Sequence, residues 1–406
     1  MPNLKEYEPI TGPQVIDELF LLAEKTKGLT VQNVNSTAVG GGVAEILNRM
    51  VPLLRELGVN AKWDVIKGGE KFYKVTKKFH NALHGKAENI GPEDFTVFLE
   101  TSEMNNQSME LGADVYFIHD PQPIALVNRK EMQKGKWIWR CHIDVSEPDQ
   151  RVWSFLRPFI DRYDSSVFSA PSFSQELPIR QFLIPPSIDP LSDKNKELSE
   201  ETIASVLNKF NLDPGKPMIT QVSRFDYLKD PIGVIEAFEI VQRYIDCQLV
   251  IAGGEATDDP ESVEVLALTR ERAAKNPDIH ILAIPSGSDI EINALQRASA
   301  VVVQKSLKEG FGLTVAEALW KGKPVVASAV GGINLQITHR YSGLLCHSIE
   351  GAAHDIKQLL QNPDYAKKLG ENGREHVRQN FLLTRHLRDY MLLFLSLFHE
   401  GDIIHL

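Results

Sequence analysis

Lys305-Ser306-Leu307-Lys308-Glu309-Gly310-Phe311-Gly312-Leu313-Thr314-Val315-Ala316-Glu317-Ala318 follows directly on a short apolar run, Ala300 to Gln304. The run reads as a buried strand and the residues from Leu313 as a helix, so strand, glycine-bracketed loop and helix succeed one another. Gly310 and Gly312 let the backbone approach a ligand closely, and the helix start faces an anion with partial positive charge. Glu309 and Glu317 are carboxylates, which accept paired hydrogen bonds from neighbouring hydroxyls and so suit sugar or ribose diols. As structure alone, Glu317 is a helix-start acid favoured by the dipole and Glu309 a loop charge.

The same alternation extends in both directions from this stretch. Upstream, Met218 to Arg224 reads as a strand. A helix follows with Val234, Phe238, Val241 and Ile245 at the 3.6-residue period, and then strands at Gln248 to Ala252, Ile279 to Ile284 and, beyond the quoted stretch, Pro324 to Ala329. A first series precedes it: Leu29 to Ser36 as strand, Gly40-Gly41-Gly42 as turn, Val43 to Glu56 as helix, and Ala61 to Ile66 as the next strand. Further strands are expected at Asp114 to His119, Trp137 to Ile143, Ser166 to Ser169 and Phe182 to Pro185. Two such series predict an α/β fold of two Rossmann-like, doubly wound parallel sheets, whose ligands bind at the loops after the carboxyl ends of the strands.

Ile184-Pro185-Pro186-Ser187-Ile188-Asp189-Pro190 separates the two series, and its prolines favour an extended connector. The expected domains are therefore 1–186 and 187–382. Leu383 to His399 is a helix too rich in Leu and Phe to be a solvated tail, so residues 383–406 are expected to return to the first domain.

The chain has 406 residues, 44 Lys+Arg against 54 Asp+Glu for a net charge of −10, 43% hydrophobic and 24% charged residues. That balance fits a folded α/β protein and excludes disordered, collagen-like and coiled-coil classes. The acidic surplus argues against a nucleic-acid partner, which requires a basic face. Cys141, Cys247 and Cys346 are far apart and form no Cys-x-x-Cys pair, which suits a reducing compartment. The N-terminus lacks an apolar core of signal-peptide type, and the longest apolar stretch, Met391 to Phe398, is too short to span a bilayer. The expected location is the cytoplasm, with no membrane partner.

Two other loops carry candidate chemistry. Gly40-Gly41-Gly42 follows a strand and opens a helix, where backbone N–H groups approach a phosphate or sugar. A purely structural turn is the competing reading, and Glu45 at the third-glycine position defeats the dinucleotide fingerprint. In Val222-Ser223-Arg224-Phe225-Asp226-Tyr227-Leu228-Lys229-Asp230-Pro231, Arg224 and Lys229 lie five positions apart across a loop. They read either as a fork and a point charge suited to a diphosphate or as two solvated surface cations.

Two carboxylates seven residues apart with Gly-Phe-Gly after the first, preceded by the Arg224/Lys229 loop and the N-terminal glycine run, resemble the retaining nucleotide-sugar glycosyltransferases of the GT-B fold, the sucrose-synthase and glycogen-synthase type. The resemblance covers nearly the whole chain, and it implies two Rossmann-like domains facing across a cleft, the second holding the nucleotide-sugar. It implies that Arg224 and Lys229 clamp the pyrophosphate, that Glu317 binds the ribose, and that Glu309 with Gly310, Phe311, Gly312 and Leu313 binds the donor sugar. Gly41 and Gly42 would border the donor phosphate and the acceptor. His119, ending Val115-Tyr116-Phe117-Ile118-His119, resembles the family histidine near the reaction centre, although a lone histidine also simply caps a strand. His119, Arg224, Lys229 and Glu309 are the expected catalytic residues.

Trp137-Ile138-Trp139-Arg140-Cys141-His142-Ile143-Asp144, with His119-Asp120-Pro121-Gln122-Pro123, resembles the subgroup that makes or breaks α,α-trehalose. Asp120, Arg140, His142 and Asp144 are the expected acceptor-binding residues. On a continuous strand Arg140, His142 and Asp144 would share a face, and an Arg140–Asp144 ion pair is the structural alternative. The resemblance implies transfer of glucose from ADP-glucose or UDP-glucose to glucose, giving trehalose reversibly, with these small molecules as partners and a homodimer compatible with it. The sequence has no Asp-x-Asp, so neither a metal nor a cofactor is expected. A trehalose phosphorylase, a nucleotide-sugar epimerase and a binding-only protein are the rival readings.

Overall fold

In the computed structural model, which describes residues 3–39, 41–254, 260–285 and 287–399, strands and helices alternate in two series. The first sheet holds Thr30–Asn35 (β1), Asn60–Val65 (β2), Val115–His119 (β3), Lys136–Arg140 (β4), Ser165–Phe168 (β5) and Arg180–Leu183 (β6), in the order β2-β1-β3-β4-β5-β6. The second holds Met218–Val222 (β7), Gln248–Gly254 (β8), Ile279–Ile284 (β9), Val301–Gln304 (β10), Val325–Ser328 (β11) and Leu344–Cys346 (β12), in the order β12-β11-β10-β7-β8-β9. Every pairing within the two sheets is parallel. Parallel sheets are covered on both faces, and β3, β7 and β10 are accordingly buried along their whole length.

Two compact units result, residues 1–187 with 383–406, and residues 188–382. Where the chain leaves and re-enters the second unit, Ile188 forms a bridge with Leu382, and its N–H donates to the Phe381 carbonyl at 2.9 Å. No described helix is long and apolar enough to cross a membrane.

The last described helix, Leu383–Phe398, buries Leu387, Tyr390, Met391, Leu393 and Phe394 in the first unit. Residues paired in register share a face, and so do residues two apart. The pairs Asn33 with Phe117 and His119 with Arg140 therefore put Asn33, Phe117, His119 and Arg140 on one face of the first sheet. The helix packs there, with the Phe117 ring 4.8 Å from Tyr390 and 6.0 Å from Phe394. Arg385 fastens its start by donating to the carbonyls of Pro185 and Pro186.

In each sheet the strand order reverses once, between β1 and β3 in the first and between β7 and β10 in the second. At such a point the outgoing loops diverge and leave a crevice at the carboxyl ends, the usual ligand position in doubly wound sheets. Ser36 to Val39, Gly41 and His119 stand at the first reversal. The Arg224–Lys229 loop and the Lys305–Gly312 loop stand at the second.

Candidate functional site

In the second unit the loop after β7 is fixed by its own aspartates. Asp226 caps the short turn Tyr227–Lys229 by accepting from Leu228 N–H at 2.8 Å. Asp230, at φ +47°, caps helix Pro231–Gln242 by accepting from Gly233 N–H at 3.0 Å. Gln221 at the end of β7 donates to the Lys229 carbonyl at 2.7 Å. The turn so held aims Lys229 at the neighbouring loop, where its Nζ lies 2.6 Å from Glu309 Oε2. Ser306 Oγ donates to the same oxygen at 3.1 Å. Both ionic side chains are largely buried, which makes the attraction stronger than in water. Arg224 behaves differently: its side chain is 56% exposed and approaches Asp226 at 3.4 Å. Lys305 forms a second ion pair across the same crevice, with Asp230.

The Glu309 loop is shaped by its glycines. Gly312 sits at φ +82° and precedes helix Leu313–Trp320; a Cβ there would meet Glu309 Cγ at 3.2 Å. Phe311 points inward, edge-on to Phe381 at 5.4 Å, and its carbonyl accepts from Gln336. Gly332, after β11, must lack a side chain because a Cβ would press on Gly310 O and Phe311 Cα, both at 2.7 Å. Glu317 is not drawn into the Lys229–Glu309 pair. It lies buried on helix Leu313–Trp320 with Oε1 3.9 Å from Lys194 Nζ. Lys321 one turn on is also buried, donating to Asn195 Oδ1 at 3.0 Å and to the Glu317 carbonyl at 3.1 Å; burial lowers its pKa.

In the first unit His119 ends β3 with one ring nitrogen 3.2 Å from Asn33 Oδ1 and the other 3.1 Å from His142 Nε2. Burial first, and the Arg140 charge second, push His119 down to about 3, and the same two causes hold His142 well below its ordinary range. Both rings are therefore neutral at pH 7. Asp120 takes φ +66°, and its carboxylate accepts from His142 N–H at 2.8 Å while burial pushes its pKa up to about 6. Gly41, at φ +78°, caps helix Gly42–Glu56 and would meet nothing with an added Cβ; Gly40 lies outside the described residues.

The expected alternation of Arg140, His142 and Asp144 on one strand is corrected. β4 ends at Arg140 because the His142 N–H that would extend the ladder is taken by Asp120. Arg140 is wholly buried and donates from Nη2 to Ser169 Oγ at 3.4 Å. Asp144 accepts instead from Ser146, N–H at 3.0 Å and Oγ at 2.6 Å, so the alternative Arg140–Asp144 ion pair is not formed.

Residues 33–175 match the family described as trehalose synthase, N-terminal domain, and residues 204–376 match glycosyl transferases group 1. The trehalose synthase of Pyrococcus horikoshii is 43% identical over 401 residues, 97% of this chain and 96% of the relative. The chain belongs to the trehalose synthase family. A trehalose phosphorylase of Pleurotus pulmonarius is 26% identical, covering 92% of this chain and 58% of that protein. Among solved structures, sucrose-phosphate synthase from Thermosynechococcus elongatus superposes with a TM-score of 0.71 at 19% identity, over 92% of this chain and 100% of that one. The fold is thus that of the GT-B glycosyltransferases, as the sequence led one to expect.

Several neighbours of the expected residues had escaped the sequence reading of this trehalose synthase family member. Asn33 stands against His119, and Lys305 against Asp230, only because strands far apart in sequence are adjacent, whereas Ser306 reaches Glu309 within its own loop. One signal was present: β1 buries Gln32, Asn33 and Asn35, an unusual amide content for a covered strand.

Proposed function

We propose that the chain is a retaining glucosyltransferase that makes α,α-trehalose reversibly from ADP-glucose or UDP-glucose and glucose. The observation that carries this reading is the Lys229–Glu309 pair at the strand-order reversal of the second sheet, in a chain that matches trehalose synthases end to end. Lys229 and the exposed Arg224 of the same loop receive the diphosphate. Glu309, the backbone of Gly310 to Leu313 and the nearby Ser306 receive the glucosyl hydroxyls, and Glu317 the ribose.

The bond between the anomeric carbon and the diphosphate oxygen breaks as the glucose hydroxyl attacks from the same face. The proton of that hydroxyl passes to the departing diphosphate. Lys229 stabilises the charge that develops there, a preorganised electrostatic role. Charge neutralisation is assigned to the two cations because the chain has no Asp-x-Asp to hold a metal between phosphates. The neutral His119–His142 pair and Asp120 form the hydrogen-bonding surface offered to sugar hydroxyls by the first unit. Three buried free cysteines fit a cytoplasmic setting, which belongs to the same proposal.

The test uses trehalose with ADP, UDP or inorganic phosphate in turn. Formation of ADP-glucose or UDP-glucose supports the reading. Glucose 1-phosphate from phosphate alone would assign the chain to phosphorolysis instead.

A further inference from the structure

Arg140 is fully buried, yet among the described residues it has no carboxylate in ion-pair contact, and its Nε and Nη1 have no hydrogen-bond partner. Leaving a buried charge unpaired is costly, and a well-packed apolar residue would serve the fold better. Two groups of helix Leu383–Phe398 share this condition. His386 Nε2 and Tyr390 Oη are buried without partners, although His386 Nδ1 meets Ser187 Oγ at 2.9 Å. The acid of this helix, Asp389, does not relieve the arginine, because it accepts from Arg385 and Arg388.

Register places Arg140 beside His119 on the same face of the sheet, and His142 follows two residues later. The 3.1 Å contact between His119 and His142 requires one nitrogen to donate and the other to accept, which two imidazolium rings cannot do. We propose that Arg140 is a positioning residue: a buried cation, covered by His386 and Tyr390 of the last helix, whose charge holds the His119–His142 pair in its donor–acceptor arrangement. Arg140 then acts on the sugar acceptor through the histidines and not by touching it. The acceptor part of this inference rests on the proposed function.

The groups around the pair explain why Arg140 has this effect. From the sheet come Asp120, Arg140 and Cys141, and from the helix Arg385, His386, Asp389 and Tyr390. Asp120 accepts from the His142 N–H and is itself pushed toward its neutral form, so the positive field of Arg140 adds to burial in opposing protonation of both rings.

The experiment compares the full-length protein with Arg140→Met, Arg140→Gln and Arg140→Lys. Histidine-ring NMR is followed from pH 8 down to about pH 2.5, below the ordinary imidazole range, with His119→Asn and His142→Asn giving the assignments. In the charge-free variants the ring midpoints of the pair are expected to rise by about one pH unit. Arg140→Lys restores the original titration, and melting temperatures are unchanged or raised. Kinetically, the acid limb of the acceptor kcat/KM profile moves up by the same interval, with the donor KM unchanged. Unchanged ring titration in Arg140→Met and Arg140→Gln overturns the inference. So does a loss of stability that Arg140→Lys fails to recover, which would make Arg140 structural. The titration needs no substrate: if the rings respond as expected but no trehalose forms, it is the proposed function that fails.

Discussion

The Lys229 ammonium lies 2.6 Å from the Glu309 carboxylate, joining the loops after β7 and β10 across 80 residues of chain. Because Ser306 also holds Glu309, Lys229→Ala keeps the loop but leaves a largely buried carboxylate half satisfied. A stability loss of about 1–3 kcal/mol is expected by chemical denaturation. Donor kcat/KM is expected to fall roughly 100- to 1000-fold. The double variant Lys229→Ala/Glu309→Gln should recover much of the stability and none of the activity. Normal turnover by Lys229→Ala would remove the diphosphate assignment.

Gly312→Ala tests the loop geometry. At φ +82° a side chain is strained, and the added Cβ would sit 3.2 Å from Glu309 Cγ. The expected cost is about 1–2 kcal/mol, accompanied by a larger change in donor KM than in acceptor KM. An equal change in both would show that the loop does not shape the donor side.

These two loops were legible from the sequence because their chemistry is local: strand end, glycines and carboxylate lie within a few residues. Both sheets were legible for a related reason, since a strand covered on both faces is a continuous apolar run. The shared face of Arg140, His142 and Asp144 was misjudged because the Asp120 carboxylate, just past β3, ends the ladder after Arg140. No period in the sequence reports that. Tyr390 belongs to a helix recognised as apolar, but its place over Phe117 depends on a chain return from about 270 residues away in sequence. Strand β12, Leu344–Cys346, is too short to show a period at all.

Asp120 gives a pH prediction. Its pKa is raised to about 6 in the fold, against about 3.9 unfolded. Between those values the folded state binds more protons, so this group's stabilising contribution, full below pH 4, is lost as pH rises through 6. Asp120→Asn, which tolerates the φ of +66°, should remove that slope, whereas Asp120→Ala should lose about 1 kcal/mol to backbone strain as well. Thermal denaturation between pH 4 and 7 decides it: an unchanged slope in Asp120→Asn would contradict the assignment.

Lys321 predicts the opposite trend at alkaline pH. Burial lowers its pKa in the fold, with Glu317 opposing, so above neutrality the unfolded chain holds the extra proton. Stability therefore rises from neutral pH toward the ordinary lysine range, by at most about 1.4 kcal/mol per pH unit. Lys321→Met should flatten this rise, and a parallel pH dependence in wild type and variant would refute it.

The most direct test of the whole account is product identification by NMR after mixing the protein with glucose and either ADP-glucose or UDP-glucose. The account predicts α,α-trehalose and the matching nucleoside diphosphate in equal amounts. Free glucose, an epimerised nucleotide-sugar or unchanged donor, with no trehalose, would contradict it.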